Sequence, residues 1–227
     1  MLELPEIYAE NIHRWLPELL SYVETTLRIA AVSFLLAIVI GLFVALCRTS
    51  RSRALRSAAA IYIEVGRGLP IVVILYIVYF VPPQLFPGVT WGWFTAFVGS
   101  VLGLGIHGSA ILAEVLRSGI EALHSGQREA AISLGMTPAK AMVYIILPQA
   151  IRIVLPPVAN YAIGLLKDTA LCSLIGMNEL MNDAKSIAFA EYQPMAVFVL
   201  VSVIYFVMSY PLSLIVRHLE ARLSYGR

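Results

Sequence analysis

Glu64 and Arg67 stand three residues apart in the run Glu64-Val-Gly-Arg67-Gly-Leu-Pro70, inside an otherwise apolar stretch. On a helix that spacing puts both on one face, where they can pair. If a span begins near Ala58, they lie roughly 9–14 Å along it at 1.5 Å per residue. An unpaired charge at that depth is costly, so intramembrane charges point to function. Gly66, Gly68 and Pro70 weaken the helix at the same place. An interrupted helix beside polar groups is how transporters build substrate sites or gates. A buried ion pair joining two spans fits the same residues. Lys167-Asp168-Thr169, followed by Ser173, is the second constellation. The two charges can neutralise each other where a span ends, or meet the carboxylate and ammonium of a zwitterion. His107, between Gly105 and Gly108, fits either a proton relay or a hydrogen-bonded packing histidine.

Several chemistries have no residues to support them. No lysine follows a glycine, so the phosphate-binding GxxxxGK[ST] loop is missing from the sequence. HExxH, paired-cysteine and nucleophile-elbow patterns are missing too. Cys47 and Cys172 have neither metal-ligand nor redox spacing. The residues therefore give no support to an enzyme with its own soluble active site, and no cofactor or metal of the chain's own is expected.

The elements that must carry these residues are membrane helices. Of the 227 residues, 59% are hydrophobic and 13% charged. A soluble domain averages about 25% charged and has too much surface to hide so apolar a chain. Disordered, collagen-like and disulfide-rich secreted classes are excluded, and a net charge of +2 gives no reason to expect nucleic acid. A span needs about 20 apolar residues. Five are expected, over residues 25–47, 58–81, 93–113, 151–167 and 195–216. Arg48, Arg51, Arg53 and Arg56 have no acid among them and place the first loop in the cytoplasm. Glu3, Glu6, Glu10, Glu18 and Glu24 place the N-terminus outside, and Arg217, Arg222 and Arg227 place the C-terminus inside. Residues 1–24 then form an extracytoplasmic segment, 25–222 the transmembrane domain and 223–227 a cytoplasmic tail. The acidic N-terminus lacks the basic start of a cleaved leader. Over residues 5–22 the pattern of Ile7, Ile12, Trp15, Leu16, Leu19 and Leu20 suggests an amphipathic helix on the outer interface. An ordinary lead-in to the first span is the alternative.

The cytoplasmic loop 114–150 is far longer than a helical hairpin requires. Glu114, Arg117 and Glu121 continue the third span's helix, and His124-Ser125-Gly126 breaks it. A short helix follows over residues 127–134, with Ala130, Ala131 and Leu134 on one side. Gly135 ends it, and Thr137-Pro138 caps the next. A short, separately capped helix suggests a docking element for a soluble partner.

Gly126-Gln-Arg-Glu129-Ala130-Ala131-Ile-Ser-Leu-Gly135, with Ile146-Leu147-Pro148 beyond it, resembles the EAA signature of binding-protein-dependent ABC import permeases. Glu64-x-x-Arg67-Gly68-x-Pro70, Glu114-x-x-Arg117-x-Gly119-Ile120 and Lys167-Asp168-Thr169-x-Leu171 resemble the polar amino acid branch, of histidine, glutamine and arginine type. The likeness runs from Thr25 to Arg222. It departs at Ile111, where an aromatic is usual, and at Leu123-His124-Ser125, where Ile-Pro usually precedes the glycine.

The resemblance implies an all-α type I ABC importer transmembrane domain in the bacterial inner membrane, with five spans per chain and two chains forming the path. It implies that residues 127–135 are the coupling helix. Gly126, Glu129, Ala130, Ala131 and Gly135 would serve contact with an ATPase dimer that carries the ATP and magnesium. A second permease, identical or homologous, a periplasmic or surface binding protein, membrane lipid and a polar amino acid complete the expected partners. Glu64, Arg67, Lys167, Asp168 and Thr169 are the expected substrate path. An ion- or proton-coupled carrier using Glu64, Arg67 and His107 as its relay is the competing function, and a membrane anchor for a cytosolic complex is a third.

Overall fold

Residues 4–121 and 125–224 are described by the computed structural model, and among them the regular structure is helical. The first long apolar run forms α2, Val23–Arg48. It lies along α5, Ala96–Glu121, which is more buried than the other long apolar helices. Small residues make that closeness possible. A side chain on Gly41 would meet the Ser109 carbonyl at 3.1 Å and Leu112 at 3.2 Å. Gly105 lies against Leu36, and Gly108 against Ala37 and Tyr161. Between helices in lipid, association rests on such packing rather than on exclusion of water.

The expected second span, 58–81, is two helices. Arg53–Gly68 forms α3 and Ile71–Leu85 forms α4, and they meet at a bend of 108°. Pro70 explains the break. It has no N–H, so the helical bond to the Gly66 carbonyl four residues earlier cannot form. Its ring also pushes the preceding residue out of the helical region, and Leu69 is extended at φ −89°, ψ 141°. The chain restarts at once, with Val73 and Ile74 donating to the Pro70 carbonyl at 2.9 and 3.2 Å. Leu75 sits over Gly103 and Tyr79 over Gly99, so α4 runs antiparallel to α5. At 108° to α4, α3 crosses the bundle instead of descending through it. The 9–14 Å placement of Glu64 and Arg67 assumes one straight helix from Ala58 onward, whereas the chain here is two helices joined at a bend.

The chain reaches the fourth span through α7, Pro138–Ala141, and one wide π-type turn at Met142–Ile146. The spanning helix α8, Leu147–Asp168, follows. A tight 3-10 turn over Thr169–Ile175 ends at Gly176, whose φ of 76° favours glycine. Two further helices, α9 (Leu180–Ala190) and α10 (Pro194–Ser224), complete the fold.

The N-terminal helix α1, Leu4–Ser21, differs from an amphipathic helix resting on lipid. Its Ile7, Trp15 and Leu19 are buried in one cluster with Leu180, Ala184, Val197 and Val201 of α9 and α10. Trp15 Nε1 donates to Glu191 at 2.8 Å, Arg14 pairs with Glu191 at 2.7 Å, and the Tyr8 hydroxyl donates to the Ala196 carbonyl at 2.8 Å. The moment that suggests a lipid interface is spent mainly on protein. Ile12 and Leu20, the residues off that contact, remain exposed.

The glycines of the elbow give a paired prediction. A methyl on Gly66 would come within 2.5 Å of Ala110 Cβ, whereas one on Gly68 would meet nothing within 4 Å. Gly66→Ala is expected to lose roughly 1–3 kcal/mol to overpacking. Gly68→Ala is expected to be neutral or slightly stabilising, since it only restricts the unfolded chain. Thermal unfolding of the purified variants checks the pair, and equal midpoints would contradict it.

Candidate functional site

The Gly66 carbonyl that Pro70 leaves without its helical donor is taken by a side chain. His107 Nδ1, midway along α5, lies 3.0 Å from it. A carbonyl can only accept, so Nδ1 carries the proton, and in the neutral ring Nε2 is left as an acceptor. Asp168, at the end of α8, lies within electrostatic range of both His107 and Tyr161. The elbow and the end of α8 thus share one polar centre among apolar helices. His107 is there as a backbone cap, the packing role of the two expected for it.

Lys167 and Asp168 form no direct ion pair, although Asp168 lies in the field of Lys167. The helix turns them apart, and Lys167 lines a separate cavity of about 450 Å³ between α8, α9 and α10. Ser202, Tyr205 and Ser209 supply hydroxyls there, with Met181 and Phe198 as apolar wall. Asp168 is half-buried. Thr169 is fully buried, and its hydroxyl donates to the Leu166 carbonyl at 2.7 Å.

Glu64 and Arg67 are both exposed and form no ion pair with each other. Glu114 instead lies in the fields of Arg67 and Arg48 and accepts from Arg117 at 2.6 and 3.1 Å. Arg117 also bonds Glu121. Spacings of three and four on a single helix form these pairs without tertiary fit, and they leave α3's own charges unmatched.

Glu179 is a buried carboxylate that the sequence reading misses. It caps α9, accepting from the Met181 and Asn182 N–H groups at 2.9 and 2.8 Å and from the Tyr205 hydroxyl at 3.1 Å. Burial pushes its carboxyl up to about 7 against the pull of these donors. Nearby, Lys185 Nζ donates to the Ser173 hydroxyl at 2.7 Å. The available signal was an acid directly before the helical pattern of 180–190, but glutamate is not among the preferred cap residues.

The loop helix α6 is Ser125–Ser133. Ser125 and Gly126 belong to its first turn, so Gly126 does not stand outside it as a breaker. Of the expected break at His124-Ser125-Gly126, His124 lies outside the described residues. The helix ends in paired closing bonds, Gly135 N–H to Ile132 and Met136 N–H to Ala131, with Gly135 at φ 79°. That turn favours glycine. Thr137 accepts from the Lys140 N–H at 3.3 Å and opens α7. Ala131 is buried, whereas Glu129, Ala130, Ile132 and Leu134 are exposed. Among the described residues no three metal-ligating side chains converge, and both cysteines are free.

Helices broken at mid-length, spans packed through glycine and a capped loop helix define a membrane transport component. The family model of the binding-protein-dependent transport system inner membrane component matches residues 15–225. The chain belongs to that family, with the all-helical type I ABC importer fold. It is 40% identical over 189 residues to the probable amino-acid ABC transporter permease protein YckA of Bacillus subtilis (strain 168), covering 83% of this chain and 81% of that one. It is 34% identical over 208 residues to the glutamine transport system permease protein GlnP of Escherichia coli (strain K12), covering 92% and 94%. A solved structure described as an amino acid ABC transporter with histidines superposes with a TM-score of 0.88 at 35% identity, covering 98% of this chain and 99% of that one. The family is one of binding-protein-dependent transport, not of ion-coupled carriers.

His107 generates the prediction here. His107→Phe keeps the bulk but leaves the Gly66 carbonyl without its donor. A loss of about 1–3 kcal/mol is expected from an unsatisfied buried acceptor. His107→Gln, which retains a donor, is expected to recover part of it. Thermal midpoints in detergent check this, and a Phe variant as stable as wild type would remove the capping role.

Proposed function

We propose that this chain is the permease subunit of an ATP-driven importer of polar amino acids or related compounds. It works with a second permease, a dimer of ABC ATPases and a substrate-binding protein. The observation that carries the reading is α6. It is nine residues long, closed by a left-handed glycine, and followed by Leu134 with 84% of its surface exposed. An exposed leucine beside a helix with its own start and stop calls for a protein surface to cover it. In this reading α6 is the coupling helix. Ala131 anchors it, Gly126 and Ala130 let the ATPase approach closely, and Glu129 makes the polar contact. Gly135 turns the chain back toward the bundle.

ATP binding closes the ATPase dimer and draws the two coupling helices together. The rigid α2–α5 pair carries that motion toward the outer face, and hydrolysis resets it. In this reading the arginines at 48–56 keep the first loop cytoplasmic, and Arg117, Arg128, Lys140 and Arg152 keep the loop carrying α6 there, with the N-terminus outside and the C-terminus inside. Glu64 and Arg67 face the path as exposed, mutually unpaired charges. Lys167 offers an ammonium for a carboxylate, and Asp168 a carboxylate for an ammonium or guanidinium. The amino-acid class is supported by the relatives' own descriptions, glutamine transport among them.

Two variants test the reading in liposomes containing the ATPase and binding protein. Glu129→Arg is expected to abolish substrate-stimulated ATP hydrolysis while the permease still folds. Wild-type stimulation would sink the assignment of α6. Asp168→Ala is expected to lower transport about tenfold or more, the loss typical of one charged hydrogen bond. Unchanged kinetics at equal expression would take Asp168 out of the path.

A further inference from the structure

The elbow joins two features that the transport reading does not use. The first is cationic. Arg48, Arg51, Arg53 and Arg56 follow one another without an acid, and none forms an ion pair among the described residues. Arg48 lies in the field of Glu114. Arg51, Arg53 and Arg56 are exposed, and Arg56 reaches only the Ser50 carbonyl, at 3.3 Å.

The second is apolar. The buried face of α3 is Ala59, Ile63 and Gly66. A different face exposes Ile61 and Val65, and Leu69 follows just beyond the helix. The 108° bend folds this face toward Ile74, Ile77 and Val78 of α4, leaving a cavity of about 570 Å³ lined by apolar side chains. The one hydroxyl in its wall, on Tyr62, is turned away to Ser109 at 2.5 Å and the Ile106 carbonyl at 3.3 Å. The volume lies within the roughly 300–1,000 Å³ of small-molecule sites. From Arg56 to Ile61 is about 7.5 Å along the helix, and Leu69 is about 12 Å further.

We propose that the elbow binds an anionic phospholipid, with its phosphate held by Arg51, Arg53 and Arg56 and one acyl chain in the cavity. A guanidinium presents paired donors to phosphate oxygens. A helix that starts among arginines and continues in an apolar stripe matches the interface between headgroups and chains. The charges also disfavour a second copy of this chain as occupant. Two-fold pairing through this face would set the same three arginines against their own duplicates.

The test uses the full chain in detergent, titrated with phosphatidylglycerol or with phosphatidylcholine of identical acyl chains, with bound lipid counted by native mass spectrometry. Each basic residue near a headgroup is worth roughly fivefold, so wild type is expected to favour phosphatidylglycerol by about tenfold or more. Replacing Arg51, Arg53 and Arg56 with serine is expected to erase the preference and leave phosphatidylcholine adducts unchanged. Val65→Trp fills the cavity without altering charge and is expected to reduce both adducts. Equal retention of the two lipids by wild type would overturn the proposal, and this comparison needs no variant to fold. So would a Val65→Trp protein that holds phosphatidylglycerol as well as wild type. Disulfide cross-linking of Val65→Cys between two copies in membranes, with Cys47 and Cys172 replaced by serine, would show protein covering the face and overturn it as well.

Discussion

Hydrocarbon contains no water to satisfy a backbone carbonyl, and this constraint organises the centre of the molecule. Pro70 breaks the helix by withholding one N–H. The carbonyl it deprives, that of Gly66, must find a donor within the protein. His107 provides it at 3.0 Å. The contact is close because Gly66 has no side chain to keep α3 off Ala110. Loss of a donor, presence of a glycine and placement of a histidine are thus one device spread over two helices. It fixes the elbow, and the elbow fixes the direction of α3.

That direction decides where the charges go. In a straight span Glu64 and Arg67 would point at fixed depths toward a neighbour. On a helix crossing the bundle they stand exposed, and Glu114 comes under the influence of Arg67. Lys167 and Asp168 separate for a simpler reason. Successive residues on a helix point about 100° apart, so a charged dipeptide serves two surfaces. One is the cavity beside α10, and the other is the polar centre at His107.

Much of this was legible in the residues, but unevenly. Local chemistry read well. Gly135 as a left-handed stop, Thr137-Pro138 as a cap and the weakness at Gly66–Pro70 all follow from short-range sterics, and the helix obeys them. The close packing of Gly99, Gly103 and Gly105 against Tyr79, Leu75 and Leu36 rests on the same sterics. What could not be read was angle and partner. Composition says that Pro70 interrupts a helix, but not that the halves diverge by 108°, because α5 and His107 set that angle. The moment of residues 5–22 shows an apolar face, but not whether lipid or protein covers it. Glu179 escaped because its role depends on Tyr205, which is 26 residues away. The short loop helix was recognisable from spacing, while the surroundings of Glu64, Arg67, Lys167 and Asp168 needed the fold to separate them.

The attachment of α1 also constrains how the chain is built. Trp15 and Tyr8 find their partners in Glu191 and Ala196, and the Tyr8 bond joins residues 188 apart. During synthesis α1 must therefore wait for α9 and α10, which lie far along the chain. Until α9 and α10 arrive, Ile7, Trp15 and Leu19 have no protein surface to cover them. Docking of α1 thus reports that α9 and α10 have been delivered, and a segment made before them becomes the clasp that holds them.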